Sequence, residues 1–315
     1  MLESYQLNEL TNGAYGLTKR QARLDQYTSF RIGGPCELLI EPTSEKELLR
    51  TIRYLQAESL PYYLLGNGSN VLVRDGGFPG VIVVLGRLFS DFSIDGASVT
   101  AQAGTALHDL AEASFRAGLT GLEELSGIPG TVGGGVMMNA GAYGKEMKDV
   151  VRSVRAINRA GKLVELTIEE MAMGYRRSRM MEEGMIVVQV TFSLQEDAPE
   201  KILARYQDFS QRRAEKQPLD RYSAGSTFKR PAEGYASALI DQAGLRGFSY
   251  GQAQVSEKHC GFLINQGQAS AREMLTLIDL VQKRVREKFA IDLEPEVRII
   301  GVDVEENAPS GHKLQ

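Results

Sequence analysis

The sequence of 315 residues predicts an α+β fold, built from helices and mainly antiparallel strands in about two domains. Capping boxes indicate two helices: Ser44 stands three residues before Glu47, and Ser270 opens a second box of the same type. The sequence NRAG joins two apolar runs, residues 150–157 and 162–167, as a hairpin. Because hairpin strands run antiparallel, a single doubly wound parallel sheet is disfavoured.

The first half of the chain predicts a strand, helix, strand unit that ends in a glycine loop. Its predicted elements in chain order are a helical lead-in within residues 1–27, a strand at 37–41, a helix from Ser44, and strands at 62–65, 71–73 and 81–85. The pattern then restarts with a strand at 97–102 and a helix at 105–117. Gly118 follows that helix at the usual C-terminal cap position.

The second half begins with the predicted hairpin. Its remaining elements are a strand at 185–194, helices at 199–216 and 235–243, a strand at 261–264, a long helix from Ser270, and a strand at 296–302. The apolar positions of the long helix recur at spacings of three and four, which predicts a core stripe of Met274, Ile278, Val281, Val285 and Phe289.

The composition restricts the class of protein. With 43% hydrophobic and 24% charged residues and a net charge of −4, the chain is an ordinary globular protein without a general nucleic-acid or membrane-surface role. Cys36 and Cys260 form no disulfide framework, and the three histidines lack a metal-binding spacing, so no metal site is predicted. For His259 a structural hydrogen bond is favoured over catalysis. No secretory signal or run of 18 apolar residues occurs, so we expect a cytoplasmic protein.

The stretch 121–144 holds eight of the 33 glycines and almost no charge. Glycine lets a backbone approach another molecule closely, and the apolar residues between the glycines argue against a solvated linker, so we predict a ligand cradle. A second loop, GNGSN at 66–70, fits neither the dinucleotide fingerprint nor the phosphate-binding P-loop. From the residues alone, a pyrophosphate or ring site and a pair of tight β-turns remain open for this loop.

Three polar residues stand out as candidates for chemistry. Arg176 lies in YRRSRM, Ser226 in AGSTFKRP and Glu296 in EPEVRIIG. An arginine fork suits a carboxylate ligand, whereas Arg177 and Arg179 are expected on a solvated face. On spacing alone, each of the three candidates is more often structural than catalytic.

Eight segments in this order resemble the UDP-N-acetylenolpyruvoylglucosamine reductase family, also called UDP-N-acetylmuramate dehydrogenases. They are TSFRIGGP, LLGNGSNVLVRDGGFPGVIV, GLEELSGIPGTVGGGVMMNAGAYG, YRRS, AGSTFKRP, LIDQAGLRG, SEKHCGFLIN and EPEVRIIG, between about residues 28 and 301. The compact region 175–194 resembles the shorter subfamily. Two positions depart from the pattern: Met180 stands where an aromatic residue is common, and some relatives carry asparagine in place of Arg230.

The resemblance implies a two-subdomain FAD-binding module of the vanillyl-alcohol-oxidase/p-cresol-methylhydroxylase type at 1–196, with subdomains of about 1–86 and 87–196. It further implies an α+β substrate domain at 197–292, a strand at 293–304 carrying an active-site glutamate, and a polar tail at 305–315. The function implied is the reduction, by NADPH through FAD, of the enolpyruvyl ether of UDP-N-acetylglucosamine to UDP-N-acetylmuramate for peptidoglycan synthesis. A flavin-dependent oxidase of a small alcohol or sugar and a non-catalytic nucleotide-sugar binding protein are the alternatives.

The resemblance also assigns roles to individual residues. Arg176 and Glu296 hold the substrate carboxylate and its developing charge, with the glutamate as a protonated donor, and Ser226 protonates the substrate carbon as general acid. The implied substrate-binding residues are Tyr175, Lys229, Arg230 and Arg298. The implied FAD-binding residues are Arg31, Gly66, Asn67, Gly68, Ser69, Asn70, Gly127, Ile128, Pro129, Gly130, Thr131, Gly133 and Gly134. The flavin loops contain no histidine, so FAD is expected to bind non-covalently, and we expect a monomer or weak oligomer.

Overall fold

The computed structural model describes residues 2–304, and the predicted polar tail 305–315 lies outside the described residues. The chain divides into two compact units. The first contains the residues up to Ala22 together with Glu37–Ser69 and Gly80–Asp220, and the second contains Arg23–Cys36, Asn70–Pro79 and the residues from Arg221. The chain therefore enters the second unit three times. The subdomain and domain boundaries named above stay predictions.

The described residues contain both helices and strands. The helices are α1 (Ser4–Leu10), α2 (Glu45–Ala57), α3 (Leu107–Arg116), α4 (Val132–Met137), α5 (Arg179–Glu182), α6 (Pro199–Lys216), α7 (Ala236–Gln242) and α8 (Ala271–Phe289). The strands are β1 (Leu17–Arg20), β2 (Cys36–Glu41), β3 (Tyr62–Leu65), β4 (Val71–Val73), β5 (Phe78–Val84), β6 (Phe92–Asp95), β7 (Ser98–Gln102), β8 (Leu119–Thr120), β9 (Gly141–Ala142), β10 (Lys145–Glu146), β11 (Val151–Ile157), β12 (Leu163–Thr167), β13 (Ile186–Ser193), β14 (Gln195–Glu196), β15 (Tyr222–Ser223), β16 (Ser249–Tyr250), β17 (Ala253–Val255), β18 (Leu263–Asn265) and β19 (Arg298–Ile300). Among these residues, no helix combines the length and the apolar character needed to cross a membrane.

The first unit holds two main sheets and one large apolar core. One sheet has the order β1-β2-β5-β3, in which β3 and β5 run parallel. The other has the order β12-β11-β13-β7-β6 and is antiparallel throughout. The predicted hairpin is confirmed as β11 and β12, with Ile157 opposite Leu163. The mixture of helices and largely antiparallel strands confirms the α+β class.

The second unit is built on the antiparallel sheet β15-β18-β17-β16 and on α8. The predicted core stripe of α8 is confirmed: Met274, Ile278, Val281 and Val285 are buried, and Phe289 is partly buried. Strand β4 pairs in parallel with β19, so a segment from early in the chain is bonded to the last strand. The predicted strand 296–302 is shorter than expected, because residues before Arg298 pair with another segment of this unit.

Helix boundaries follow the capping residues. The Ser270 capping box is complete in the structure, whereas at α2 Ser44 accepts from the Glu47 amide at 3.3 Å and the Glu47 carboxylate accepts from Thr43. Helix α6 has the predicted bounds. Helix α3 begins two residues later than predicted, because the Thr105 carbonyl accepts from Val132 and so holds residues 105–106 extended.

A buried carboxylate ties α6 to the start of the glycine-rich stretch. Glu123 is 1% exposed, accepts from the Thr120 hydroxyl and the Gly121 amide at 2.7 Å each, and accepts from Arg205 of α6 at 3.0 Å. Burial by itself would raise the pKa of Glu123, but these hydrogen bonds outweigh burial and lower it. The ionised carboxylate therefore stabilises the fold.

We expect Glu123→Gln to lower the free energy of unfolding at pH 7 by roughly 1–3 kcal/mol, since a buried charge-assisted network loses its charge. Because the pKa of Glu123 is lower in the folded protein than its ordinary value of 4.5, its contribution to stability is present above that value and is lost as the pH falls through the folded-state pKa.

Thermal unfolding between pH 7 and pH 3.5 tests this prediction for Glu123→Gln. The variant should show a lower midpoint at pH 7 and a smaller loss on acidification, while the control Glu124→Gln, at a partly exposed neighbour, should match the wild type. Equal midpoints for the wild type and Glu123→Gln would contradict the assignment.

Candidate functional site

The two glycine loops that the sequence singled out meet within the first unit. A Cβ atom on Gly66 would lie 2.6 Å from Thr131 Oγ1, and one on Gly130 would lie 3.5 Å from Ser69 Oγ. Real Cβ atoms essentially never come within 3.0 Å of another heavy atom, so a residue other than glycine at position 66 would displace Thr131. The structure therefore brings Gly66–Ser69 and the loop 127–134 side by side.

Several amides of the second loop are engaged within the protein. The Ile128 amide donates to Leu125, Gly130 to Ile128, and Gly133 to Ala103. The Gly134 amide donates to the Thr131 hydroxyl, which caps α4 at 3.3 Å. The glycine-rich stretch is thus partly helical, and the amides at these four positions are bonded within the protein and are not free donors.

A tight turn at residues 174–177 presents Arg176 in the first unit. Gly174 and Arg177 exchange two backbone hydrogen bonds, and Arg176 has a positive φ of 54°, which is uncommon for a residue other than glycine. Its guanidinium carbon lies 5.3 Å from the centre of the Tyr175 ring, and the Tyr175 side chain is exposed. Strain of this kind costs of the order of 1–3 kcal/mol and persists where the surroundings hold it.

The end of the glycine-rich stretch holds this turn. Asn139 is fully buried and donates to the Gly174 carbonyl at 3.0 Å, and the Ser178 hydroxyl donates to the Met137 carbonyl at 2.7 Å. Ser178 also caps α5 by accepting from the Met181 amide. Sequence reasoning did not assign Asn139 or Ser178, although an asparagine within MMNAG and a serine directly before α5 were available signals.

The other two arginines of YRRSRM behave as predicted. Arg177 pairs with Glu182, and Arg179 pairs with Glu183 at 2.7 Å, all with partly or largely exposed side chains. Arginine pairs at the surface contribute little to stability. They therefore form the expected solvated face.

In the second unit, Ser226 and Glu296 are placed by one short antiparallel pairing. The Glu296 amide donates to the Thr227 carbonyl and the Lys229 amide to the Glu294 carbonyl, both at 2.8 Å, with Phe228 opposite Pro295. Thr227 is buried, and its hydroxyl accepts from the Leu263 amide at 3.2 Å. Ser226, one residue earlier, is exposed.

Asn70 fixes the strand end that carries Glu296. Its side-chain amide donates to the Glu296 carbonyl at 3.3 Å, and its own carbonyl accepts from the Arg298 amide at 2.9 Å. Asn70 and Arg31 belong to the second unit, whereas Gly66, Asn67, Gly68 and Ser69 belong to the first.

The cations predicted to bind substrate lie on the second unit in different settings. Lys229 pairs with Glu294, and the guanidinium of Arg230 lies 4.3 Å from the centre of the Tyr235 ring. Arg298 is exposed on β19, and Arg31, with φ of 56°, lies 6.0 Å from the Tyr222 ring. Each is accessible enough to meet a ligand.

His259 has the structural role that the sequence favoured. Its Nδ1 accepts from the Gly261 amide at 3.2 Å, which requires that nitrogen to be unprotonated. Burial lowers the pKa of His259, so the neutral ring is favoured. This hydrogen bond confirms the prediction.

Comparison with known proteins gives matches along most of the chain. Residues 36–167 match the FAD binding domain model, and residues 217–300 match the model of the UDP-N-acetylenolpyruvoylglucosamine reductase C-terminal domain. The UDP-N-acetylenolpyruvoylglucosamine reductase of Clostridium kluyveri is 46% identical over 280 residues, covering 89% of this chain and 92% of the relative. That of Clostridioides difficile is 45% identical over 291 residues, covering 91% and 96%. The crystal structure of UDP-N-acetylenolpyruvylglucosamine reductase from Thermus caldophilus superposes with a TM-score of 0.78 at 38% identity, covering 90% of this chain and 98% of that one.

We expect Gly66→Ala to disrupt the contact between the two glycine loops, because the new methyl group would displace Thr131, whose side chain caps α4. Overpacking of this kind costs about 1–3 kcal/mol, so the variant should lose thermal stability and retain less FAD after dialysis. Flavin absorbance per mole of protein and thermal unfolding measure these effects. In the control Gly86→Ala, the added Cβ would lie 3.5 Å from Val84, an ordinary contact. Full FAD retention and unchanged stability in Gly66→Ala would contradict the expectation.

Proposed function

The chain belongs to the UDP-N-acetylenolpyruvoylglucosamine reductase family. From this premise we propose which of its residues bind FAD, which bind the substrate and which take part in the chemical step. The protein is an FAD-containing oxidoreductase that uses NADPH to reduce the enolpyruvyl ether of UDP-N-acetylglucosamine to UDP-N-acetylmuramate, a step of peptidoglycan precursor synthesis. The predicted family, cofactor and reaction are confirmed. The reading as an oxidase or as a binding protein is not favoured.

The residues of the first unit fit an FAD. The contact between Gly66 and Thr131 places the two glycine loops side by side, so that one extended ligand can meet both of them. We assign Gly66, Asn67, Gly68 and Ser69 to the pyrophosphate and the loop from Gly127 to Gly134 to the flavin, and the resemblance to the family adds Arg31 and Asn70 to the FAD-binding residues. When bound, FAD supplies the transfer of hydride from NADPH to the substrate double bond.

The pairing of residues 227–229 with 294–296 is the observation that carries the assignment of the acid. It holds Ser226 and Glu296 on adjacent strands of one unit, bonded at 2.8 Å through the Thr227 carbonyl and the Glu296 amide. Hydride addition to the enolpyruvyl group leaves negative charge on the neighbouring carbon and its carboxylate. The exposed Ser226 hydroxyl donates a proton to that carbon. A hydroxyl is a weak acid, but the enolate is a strong base, so the proton transfer is favourable.

Arg176 and Glu296 stabilise the same developing charge. The guanidinium offers a fork of donors to the substrate carboxylate, and the glutamate donates as the protonated acid. The positive φ of Arg176 supports this role, since strained backbone positions of this kind cluster at functional sites.

The cationic and aromatic residues bind the remainder of the substrate. Lys229, Arg230 and Arg298 are assigned to the UDP phosphates, where positive charge and arginine forks are favourable. The exposed ring of Tyr175 is assigned to the substrate as well. A cytoplasmic location and a monomeric or weakly associated state complete the proposal.

The decisive experiment follows NADPH oxidation by the purified yellow protein with and without UDP-N-acetylglucosamine enolpyruvate. We expect fast oxidation of NADPH only with the enolpyruvyl compound, and one UDP-N-acetylmuramate for each NADPH consumed. Oxidation of NADPH at the full rate without the enolpyruvyl substrate, or oxidation of a substrate linked to oxygen, would refute the assignment.

We expect Ser226→Ala to separate the two halves of the reaction. NADPH should bleach the flavin absorbance within about twofold of the wild-type rate, whereas recovery on adding the enolpyruvyl substrate should slow by at least about 100-fold, the usual contribution of a general acid. Stopped-flow absorbance measures both steps, with Ser223→Ala on β15 as the matched control. Loss of both steps in Ser226→Ala would assign the serine to folding or flavin binding, and unchanged recovery would exclude it as the acid.

A further inference from the structure

Arg213, near the end of α6, carries buried donors without acceptors. Its Nε and Nη1 atoms are buried and have no hydrogen-bond partner among the described residues. An arginine side chain stays protonated in proteins and has no acceptor function, so the group remains a cation. The residue as a whole is half-buried. A buried donor atom without a partner is costly, and in a native structure it calls for an explanation such as a bound ligand.

The surroundings of Arg213 do not neutralise it. Asp208 of the same helix pairs with Arg212 at 2.8 Å, and Glu215 accepts from Gln211 at 2.9 Å. Burial lowers the pKa of Arg213, and Tyr143 opposes this through charge interaction and a side-chain hydrogen bond, which leaves the Nε and Nη1 atoms without partners in the described part of the chain. The charge is therefore held in place by neutral groups.

The guanidinium also lies directly against the glycine-rich loop. A Cβ atom on Gly127 would lie 2.5 Å from Arg213 Nη1 and 2.9 Å from Cζ, so the guanidinium occupies the space that a side chain at residue 127 would take. The Tyr143 ring packs against Phe209 of α6, with centroids 4.9 Å apart and an angle of 33° between the ring planes. Aromatic packing and the loop together fix the position of the cation.

We propose that Arg213 is an FAD-binding residue whose unpaired donors bind an acceptor oxygen of the cofactor. Arg213 and Gly127 belong to the same unit as residues 37–69 and 80–167 of the segment that matches the FAD binding domain, although Arg213 itself lies outside both matched segments. The inference rests on the FAD dependence stated above and adds a residue that the glycine motifs do not contain. A phosphate oxygen of the nucleotide-sugar offers the same chemistry, and the experiment separates the two sources.

The test compares Arg213→Met with Arg212→Met, its neighbour on α6. Methionine keeps an unbranched apolar stem and removes the charge, whereas Arg212 is exposed and paired with Asp208. For each holoprotein, the dissociation constant of FAD is measured by flavin fluorescence on dilution, and that of UDP by calorimetry. The thermal midpoint is measured after FAD has been removed.

We expect the FAD dissociation constant of Arg213→Met to rise about tenfold to a hundredfold, the effect of losing a charge-assisted hydrogen bond. UDP affinity should be unchanged, and the FAD-free protein should be as stable as the wild type or more stable, because a buried unpaired charge has been removed. Arg212→Met should match the wild type in all three measurements.

Three outcomes would overturn the proposal. An unchanged FAD dissociation constant excludes the role, a loss of UDP affinity with FAD unaffected assigns the donors to the nucleotide-sugar, and a lowered midpoint of the FAD-free variant assigns Arg213 to packing. A wild-type protein that binds FAD but does not reduce the enolpyruvyl substrate would refute the proposed reaction and leave this inference standing.

Discussion

The contact between Gly66 and Thr131 is the constraint on which the first unit depends. Because Gly66 carries no Cβ, the loop after β3 can lie against Thr131, the residue that caps α4. The same Thr131 lies opposite Ala106, so the entry to α3 is fixed at this point as well. From here the order extends through α4 to Asn139, whose side chain holds the turn that carries Arg176.

The second unit uses hydrogen bonds in place of close glycine packing. Thr227 bonds to two different segments, donating its amide to Gly261 and accepting at its carbonyl from Glu296. Asn70 bonds to the backbone on either side of Val297 and thus holds the last strand to β4. Candidate catalytic side chains are therefore carried by backbone segments whose polar groups are satisfied, which keeps their positions fixed.

Charge has two different uses in this molecule. Surface pairs such as Arg177 with Glu182 contribute little to stability, because solvent screens exposed charges. Buried charges are few and specific: Glu123 is fully compensated by its hydrogen bonds, whereas Arg213 is not. The first stabilises the fold, and the second is a reason to expect a ligand.

The sequence by itself determined the elements whose signals are local. The caps at Ser44 and Ser270, the NRAG hairpin and the apolar stripe of α8 depend on neighbours within a few residues, so the chain order suffices to predict them. The motifs around Arg176, Ser226 and Glu296 likewise identified the family, because their residue types occur in a fixed order. The roles of these side chains stay predictions.

Only the tertiary structure decided which distant residues meet. Nothing in the local sequence places Asn70 beside Glu296, 226 positions later, since that bond depends on the parallel pairing of β4 with β19. Arg213 gave no signal at all, because a charged residue near the end of a polar helix is usually solvated, and its burial depends on Gly127 and Tyr143 packing over it. Periodicity and motifs report what a residue's neighbours in sequence require, whereas burial and hydrogen-bond partners are set by segments that the fold brings together.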